Sequence, residues 1–383
     1  MPDVANAVGT PDAWLADSST QFGLSLFSRL HGGADRENVF ISPASVFLAL
    51  AMTYNGAEGA TKTAMAKVLG LEGRNIAEIH TGVAALHQLL KRPDPKIEVA
   101  IANGLWGKPG VDFHPTFLQQ AKQVYKAAVA PLQSSDAINT WVSKATRGKI
   151  TSIIDELSSE AILVLVNAIY FKGKWGEPFD REATQERPFT LPNSAQKHLP
   201  MMTQSDEYWY SSNKEMQAIK LPYGAGRIQM YIVLPAIASN LPTLLQGLDA
   251  KRWETWMRQF TWREGTLVLP RFRLEYRAQL NEALTALGMA NAFTDQAEFG
   301  GIATVPPGWW IRIDQVLHKT FVEVNEEGTE AAAATEITMK SAAAEPGTKP
   351  PPPFQMIVDR PFLCAIRDEQ TGLLLFLGAV VEP

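Results

Sequence analysis

Residues 161–171, AILVLVNAIYF, are apolar at every position except Asn167 and rich in β-branched side chains. An extended chain turns successive side chains to opposite faces. A strand that is apolar on both faces has to be covered on both, so this run predicts a strand with other structure layered on either side. What precedes it has the other period. Phe22, Leu26, Phe27 and Leu30 recur at helical spacing behind caps offered by Asp17 to Ser19, and His31-Gly32-Gly33 ends that helix. SPASVFLALAMTYNGA reads as a buried helix that starts at Ser42-Pro43 and stops at Asn55-Gly56. Residues 61–69, 76–90, 115–125 and 137–146 predict further helices. Beyond residue 171 come strands at 229–234 and at 267–276, the latter alternating around a Pro, and a hairpin of 362–367 with 373–381 joined by DEQTG. Helices first and sheets later describe an α+β fold.

A second constraint lies at residues 325–340, NEEGTEAAAATEITMK. Gly328 is open to backbone angles that other residues resist and can serve as a pivot. After it, Thr329, Ala331, Ala333, Thr335, Ile337 and Met339 alternate with Glu330, Ala332, Ala334, Glu336, Thr338 and Lys340. With the period of two that strands require, every charge falls on one face and the other is small or apolar, as befits a strand slotted into a sheet. Propensity alone favours an Ala-rich helix for the same residues, and both readings stand at this point.

Composition adds mainly exclusions. A chain of 383 residues with 46% hydrophobic content can bury a large core, and no linker, charge block or repeat divides it, so residues 1–383 are expected to form one domain. The one biased stretch is 345–353, EPGTKPPPP, whose prolines predict an extended, solvated segment. A net charge of −5 with both signs interspersed argues against a nucleic-acid partner. Cys364 is the only cysteine, set in FLCAI, and reads as an inert core thiol. There is no signal-peptide pattern, no membrane-length apolar run and no Asn-x-Ser/Thr acceptor. A soluble chain is expected, cytoplasmic or exported with a leader removed.

The inventory for catalysis is poor. The sequence has no G-x-S-x-G elbow, no H-E-x-x-H and no metal-ligand cluster among its six histidines, and GAEGATKT lacks the ending of a phosphate loop. Ser42, Asn167 and His318 supply the residue types of a hydrolytic triad. Ser42 opens a buried helix and Asn167 sits inside an apolar strand, so a hydrogen-bonded buried cluster is the better reading. No enzymatic activity, metal or cofactor is expected.

NVFISPASV, LVNAIYFKGKWGEPFD, VLHKTFVEV, NEEGTEAAAATEITMK, LVLPRFRLEY, DRPFLCAIRD and TGLLLFLGAVVEP together span nearly the whole chain. The set resembles the serpins, prokaryotic or plant-type members among them. The resemblance implies three β-sheets, about eight or nine helices and an exposed reactive-centre loop, here residues 326–358 with its hinge. It makes Glu326, Glu327, Gly328, Thr329, Glu330, Ala331, Ala332, Ala333 and Ala334 the hinge. Ser42, Ser45, Asn167 and His318 become a shutter beneath the central sheet, and Lys172, Gly173, Trp175, Phe179 and Arg271 a breach at its top. Arg271 is expected to pair with Glu326 in a surface bridge of little weight.

The implied activity is suicide-substrate inhibition of serine proteases, with papain-like cysteine proteases as a second class. The target cuts the loop, an acyl-enzyme forms, and the freed segment inserts as a new strand. Family spacing from Gly328 puts the bond at Ala342–Ala343, which implies elastase-like or subtilisin-like targets; the long stretch from Ala343 to Arg360 leaves Met339, Lys340 and Ser341 as alternatives. The partner is then a protease held covalently, and the chain a monomer liable to loop-sheet polymerisation. Residues 76–92 carry Lys91 and Arg92 only at their end, so no heparin site is predicted. The alternative is a non-inhibitory serpin, a chaperone, carrier or plain substrate, whose hinge would carry bulky, charged or Pro residues that this one lacks.

Overall fold

The apolar run is the middle strand of a six-stranded sheet. In order, that sheet runs β11 (Phe272–Gln279), β13 (Ile313–Val324), β5 (Leu163–Lys174), β2 (Ile97–Gly107) and β4 (Ala128–Pro131), with the short β14 (Gly328–Thr329) on β5. The structure is a computed structural model that describes residues 13–32, 37–91, 94–329 and 352–383.

A nine-stranded sheet runs β1 (Val39–Ile41), β17 (Leu374–Val380), β16 (Phe362–Asp368), β9 (Ile228–Pro235), β8 (Met216–Tyr223), β7 (Gln196–Ser212), β10 (Thr261–Pro270) and β15 (Phe354–Ile357), with β6 (Gln185–Thr190) on β7. A third, of two strands, joins β3 (Asp112–Phe113) to β12 (Ala303–Thr304). The helices among the described residues are α1 (Ala13–His31), α2 (Pro43–Tyr54), α3 (Gly59–Leu69), α4 (Ile76–Lys91), α5 (Pro115–Gln123), α6 (Ser135–Ala145), α7 (Leu241–Leu245), α8 (Ala250–Met257) and α9 (Asn281–Leu284). None of them is long and apolar enough to cross a membrane.

β5 is covered on both faces, and its alternation sorts its side chains into two cores. Leu163, Leu165, Ile169 and Phe171 join the main core, whereas Val164, Val166, Ala168 and Tyr170 pack with Ile138 and Val142 of α6. α2 lies between β5 and β17 and is buried at every residue. Its start is fixed as the sequence suggests: the Ser42 hydroxyl accepts from the Ser45 N–H and Pro43 fills the first turn.

Two expectations are corrected. Helix α1 begins at Ala13, ahead of Asp17 to Ser19, because burying Leu15 and Ala16 holds the first turn in helical form. Residues 267–276 are not one strand. β10 ends at Pro270, the Arg271 N–H makes one last bond in register with β7 to the Pro200 carbonyl, and β11 starts at Phe272 in the other sheet. The final hairpin forms as β16 and β17. Cys364 is fully buried on β16, where burial pushes its thiol pKa up.

Candidate functional site

The site is the seam between β5 and β13. The two strands run parallel, paired from Ile313 opposite Leu163 to Phe321 opposite Tyr170. Above that point β13 keeps only β11 as a neighbour, while β5 continues to Lys174. The vacated edge of β5 is taken by β14, antiparallel, with Gly328 opposite Lys174 and Thr329 opposite Gly173. A turn joins β13 to β14. In it the Asn325 and Gly328 N–H groups each donate to the other's carbonyl, at 2.9 and 3.2 Å. Gly328 has φ 135°, and a Cβ there would sit 2.1 Å from the Gly173 carbonyl oxygen, so only glycine fits this turn.

The segment following β5 clamps that turn. Trp175 donates its indole N–H to the Asn325 carbonyl at 2.8 Å and its backbone N–H to the Glu327 carbonyl at 3.0 Å. The Phe179 N–H donates to the Glu326 carbonyl at 2.9 Å. Trp175 is stacked on Tyr223 with ring centroids 4.4 Å apart, and the Tyr223 hydroxyl lies 2.8 Å from the Thr329 hydroxyl. Thr329 is only 1% exposed and points inward. Lys172 stands opposite Glu98 across the β5–β2 ladder, one step below Gly173.

Arg271 and Glu326 do meet, with the carboxylate buried and the guanidinium open to solvent. The Glu326 side chain is 4% exposed; it accepts from Arg271 Nε at 2.7 Å and from the Thr184 hydroxyl at 2.5 Å. Burial pushes the Glu326 carboxyl pKa up, but its hydrogen bonds from Arg271 and Thr184 outweigh that and hold it below the usual range. The carboxylate is costly to leave unpaired, while the guanidinium is 41% exposed and screened by solvent. Glu327 pairs with Arg181. The remaining hinge residues Glu330, Ala331, Ala332, Ala333 and Ala334 lie outside the described residues. So do Met339, Lys340, Ser341, Ala342 and Ala343.

Lower on the seam the structure brings Ser42, Ser45, Asn167 and His318 into one buried network. His318 of β13 stands opposite Asn167 of β5 and its Nδ1–H bonds Asn167 Oδ1 at 2.6 Å. Its Nε2 accepts the Ser42 backbone N–H at 3.1 Å, which fixes a neutral ring protonated at Nδ1. Asn167 donates to the Ser45 hydroxyl at 2.5 Å and to Asn103 on β2. The Thr320 hydroxyl donates to the Phe40 carbonyl at 2.6 Å. The histidine thus meets the Ser42 backbone rather than its hydroxyl, whose oxygen caps α2, and no serine nucleophile is activated. Among the described residues no group of His, Cys, Asp and Glu is arranged to hold a metal ion.

Burial pushes the His318 pKa down to about 3, against the opposing effect of its bond with Asn167. Its unfolded value is about 6.5, so the unfolded chain binds the extra proton first. The stability His318 contributes is complete above about pH 6.5 and is lost progressively as pH falls toward 3. The thermal midpoint is expected to drop across that window. Burial also lowers the pKa of His80, and that of His87 to about 4, so both act in the same sense. The share due to His318 is the part of the slope that disappears in His318→Gln; an unchanged slope in that variant would contradict the assignment.

Sequence reading missed Asn103, Thr184, Tyr223 and Thr320. Asn103, alone among apolar neighbours in IANGLW, carried a usable signal; the others are local polar or aromatic residues that only the fold brings to the seam.

A family model described as Serpin (serine protease inhibitor) matches residues 17–383. The leukocyte elastase inhibitor of Bos taurus is 35% identical over 386 residues, spanning 96% of this chain and 99% of that protein. Serpin B8 of Homo sapiens is 34% identical, with 96% and 99% covered. Among solved structures, the thermophilic serpin tengpin in its native state aligns with a TM-score of 0.87 at 29% identity, covering 98% of this chain and 95% of that one.

Proposed function

The chain belongs to the serpin family, and from that premise we propose that it is a suicide-substrate inhibitor of serine proteases of the elastase-like or subtilisin-like kind. Its fold is the serpin fold, and inhibitory relatives support protease inhibition in general. One observation carries the finer reading: the hinge already occupies the first two places of a new strand, antiparallel to β5, where β5 and β13 part. A strand added there would replace one parallel ladder by two antiparallel ones, the slightly more stable pairing per residue.

The register sets how far insertion runs. With Gly328 opposite Lys174, each later residue falls one step further down β5, so Met339 comes opposite Leu163 at its end. Residues 329, 331, 333, 335, 337 and 339 then face the main core, and 335, a threonine, meets the polar network at Asn167. A cut at Ala342–Ala343 frees enough chain to fill the whole seam, whereas a cut at Met339 or Lys340 leaves the inserting strand no slack. Chemistry stays with the protease, whose nucleophile forms the acyl-enzyme with the loop. Insertion then draws the tethered enzyme away before deacylation, and the uncut form persists behind a kinetic barrier.

Incubation with elastase, subtilisin, chymotrypsin and trypsin tests this on a denaturing gel. An SDS-stable band of combined mass is expected with at least one of the first two. Cleavage by every protease without a covalent band would favour the non-inhibitory alternative. The mass of the released C-terminal peptide identifies the bond.

A further inference from the structure

At its lower end the β5–β13 seam is closed by a side chain. Between Ile313 and Gln315 the register slips, so that β13 carries one residue more than β5 and Asp314 has no partner on the facing strand. A bulge of this kind interrupts the ladder and leaves backbone groups to be met in another way. Here a carboxylate meets them. Asp314 Oδ2 accepts the N–H groups of both Ile162 and Leu163, at 2.6 and 3.1 Å, where β5 begins. Its Oδ1 accepts Arg312 Nε at 3.0 Å, and Arg312 pairs in turn with Asp295. The Asp314 side chain is only 14% exposed. Hydrogen bonds to an ionised acceptor are roughly twice as strong as neutral ones, so this closure holds more firmly than the ladder bonds it replaces. The far edge of β13 is anchored separately, beyond the end of β11 at Gln279. Asn281 of α9 donates its side-chain amide to the Asp314 carbonyl at 2.8 Å and accepts the Val316 N–H at 2.9 Å, and the Leu280 N–H donates to the Val316 carbonyl at 2.8 Å.

These contacts divide by what a parting of the seam would do to them. The bonds from Leu280 and Asn281 hold β13 to α9 and involve no atom of β5, so they can survive it. The two bonds from Asp314 to Ile162 and Leu163 cross the seam and must break. At the other end the strands are already apart, with β14 on the free edge of β5. An opening that spreads from there runs down backbone bonds and reaches the carboxylate last. We propose that Asp314 is a latch: it holds the lower end of β5 and β13 shut, and the ladder above it parts along its whole length only once the carboxylate lets go of the two N–H groups. Why the seam should part at all rests on the inhibitory reading; the latch rests on its bonds alone.

Hydrogen exchange of the intact, uncut protein tests this with no protease present. Asp314→Ala speeds exchange at Ile162 and Leu163 simply by removing their acceptor. The deciding amides are therefore those Asp314 does not touch, bonded across the β5–β13 ladder above Val164. They should exchange about tenfold faster than in the parent, while the β9–β16 ladder keeps its parent rates. Asp314→Asn keeps an acceptor oxygen without the charge and should fall between the two. Asp249→Ala is the control: it removes a carboxylate that caps α8 by accepting the Arg252 N–H at 2.8 Å, and should leave the seam at parent rates. Acceleration confined to Ile162 and Leu163 would overturn the latch, leaving Asp314 two local bonds and no hold on the ladder. Equal acceleration in the β9–β16 ladder would overturn it too, as a general loss of stability. So would an Asp249→Ala seam as loose as that of Asp314→Ala. If no protease forms the covalent complex, the inhibitory reading fails by itself, and the exchange rates of the uncut chain still decide the latch.

Discussion

Thr329→Arg converts the inhibitor into a substrate: elastase-like proteases cut it at the parent's rate, but the covalent band nearly vanishes. Thr329 sits 1% exposed, its hydroxyl 2.8 Å from that of Tyr223, opposite Gly173 on β5. A guanidinium cannot occupy that place without an unpaired charge in the main core, so the side chain must leave and take β14 with it. The inserting strand then lacks its first step. A barrier raised by about 3 kcal/mol slows insertion roughly a hundredfold against deacylation, enough to release free protease. The body of the fold should stay intact, because the Glu326–Arg271 and Trp175 contacts lie on the other side of Gly328. Thr329→Ser keeps the hydroxyl and the small size and should inhibit normally. An undiminished yield of complex from Thr329→Arg would refute the inward role of this position.

His318→Ala is the second change with a large effect, here on lifetime rather than yield. The imidazole joins Asn167 on β5 to the Ser42 backbone at the start of α2. Removing it leaves Asn167 Oδ1 and the Ser42 N–H without partners and opens a space in the core, a cost of about 2–4 kcal/mol. The loss falls on the ladder that would have to part for the proposed insertion. Spontaneous insertion and polymer formation on warming should therefore quicken by more than with a core truncation elsewhere, such as Trp253→Phe on the buried face of α8. Native gels after graded heating read both species. Equal heat resistance of His318→Ala and the parent, with no polymer ladder, would remove His318 from the barrier.

How much of this was legible beforehand depended on whether the cause was local. β5 was readable because apolarity on both faces is written in consecutive residues, and α2 because Ser42-Pro43 and Asn55-Gly56 mark its ends. The break at Pro270 was hidden because alternation continues across it; the chain passes there from the ladder with β7 to the ladder with β13, a change of partner that no local pattern marks. Glu326 shows the same limit for charge. The resemblance already paired Glu326 with Arg271, 55 residues away, but the burial of the carboxylate and its second partner Thr184, 142 residues away, come only with the fold. Tyr223, which holds Thr329 and stacks on Trp175, sits in a strand with nothing around it that marks a site.

The proposed mechanism gives the parallel ladder in the middle of the sheet a use. Antiparallel neighbours on both sides of a new strand would offer better pairing than β5 and β13 give each other, so on that reading the uncut state would hold free energy it cannot release while both ends of the loop are tethered. Comparing thermal midpoints of the intact protein and of protein nicked once in the loop probes that directly. The nicked form should resist heat by tens of degrees more than the intact form, with roughly that scale set by a dozen newly paired residues. Equal midpoints before and after nicking would mean that no strand is gained, and the inhibitory mechanism would have no source of force.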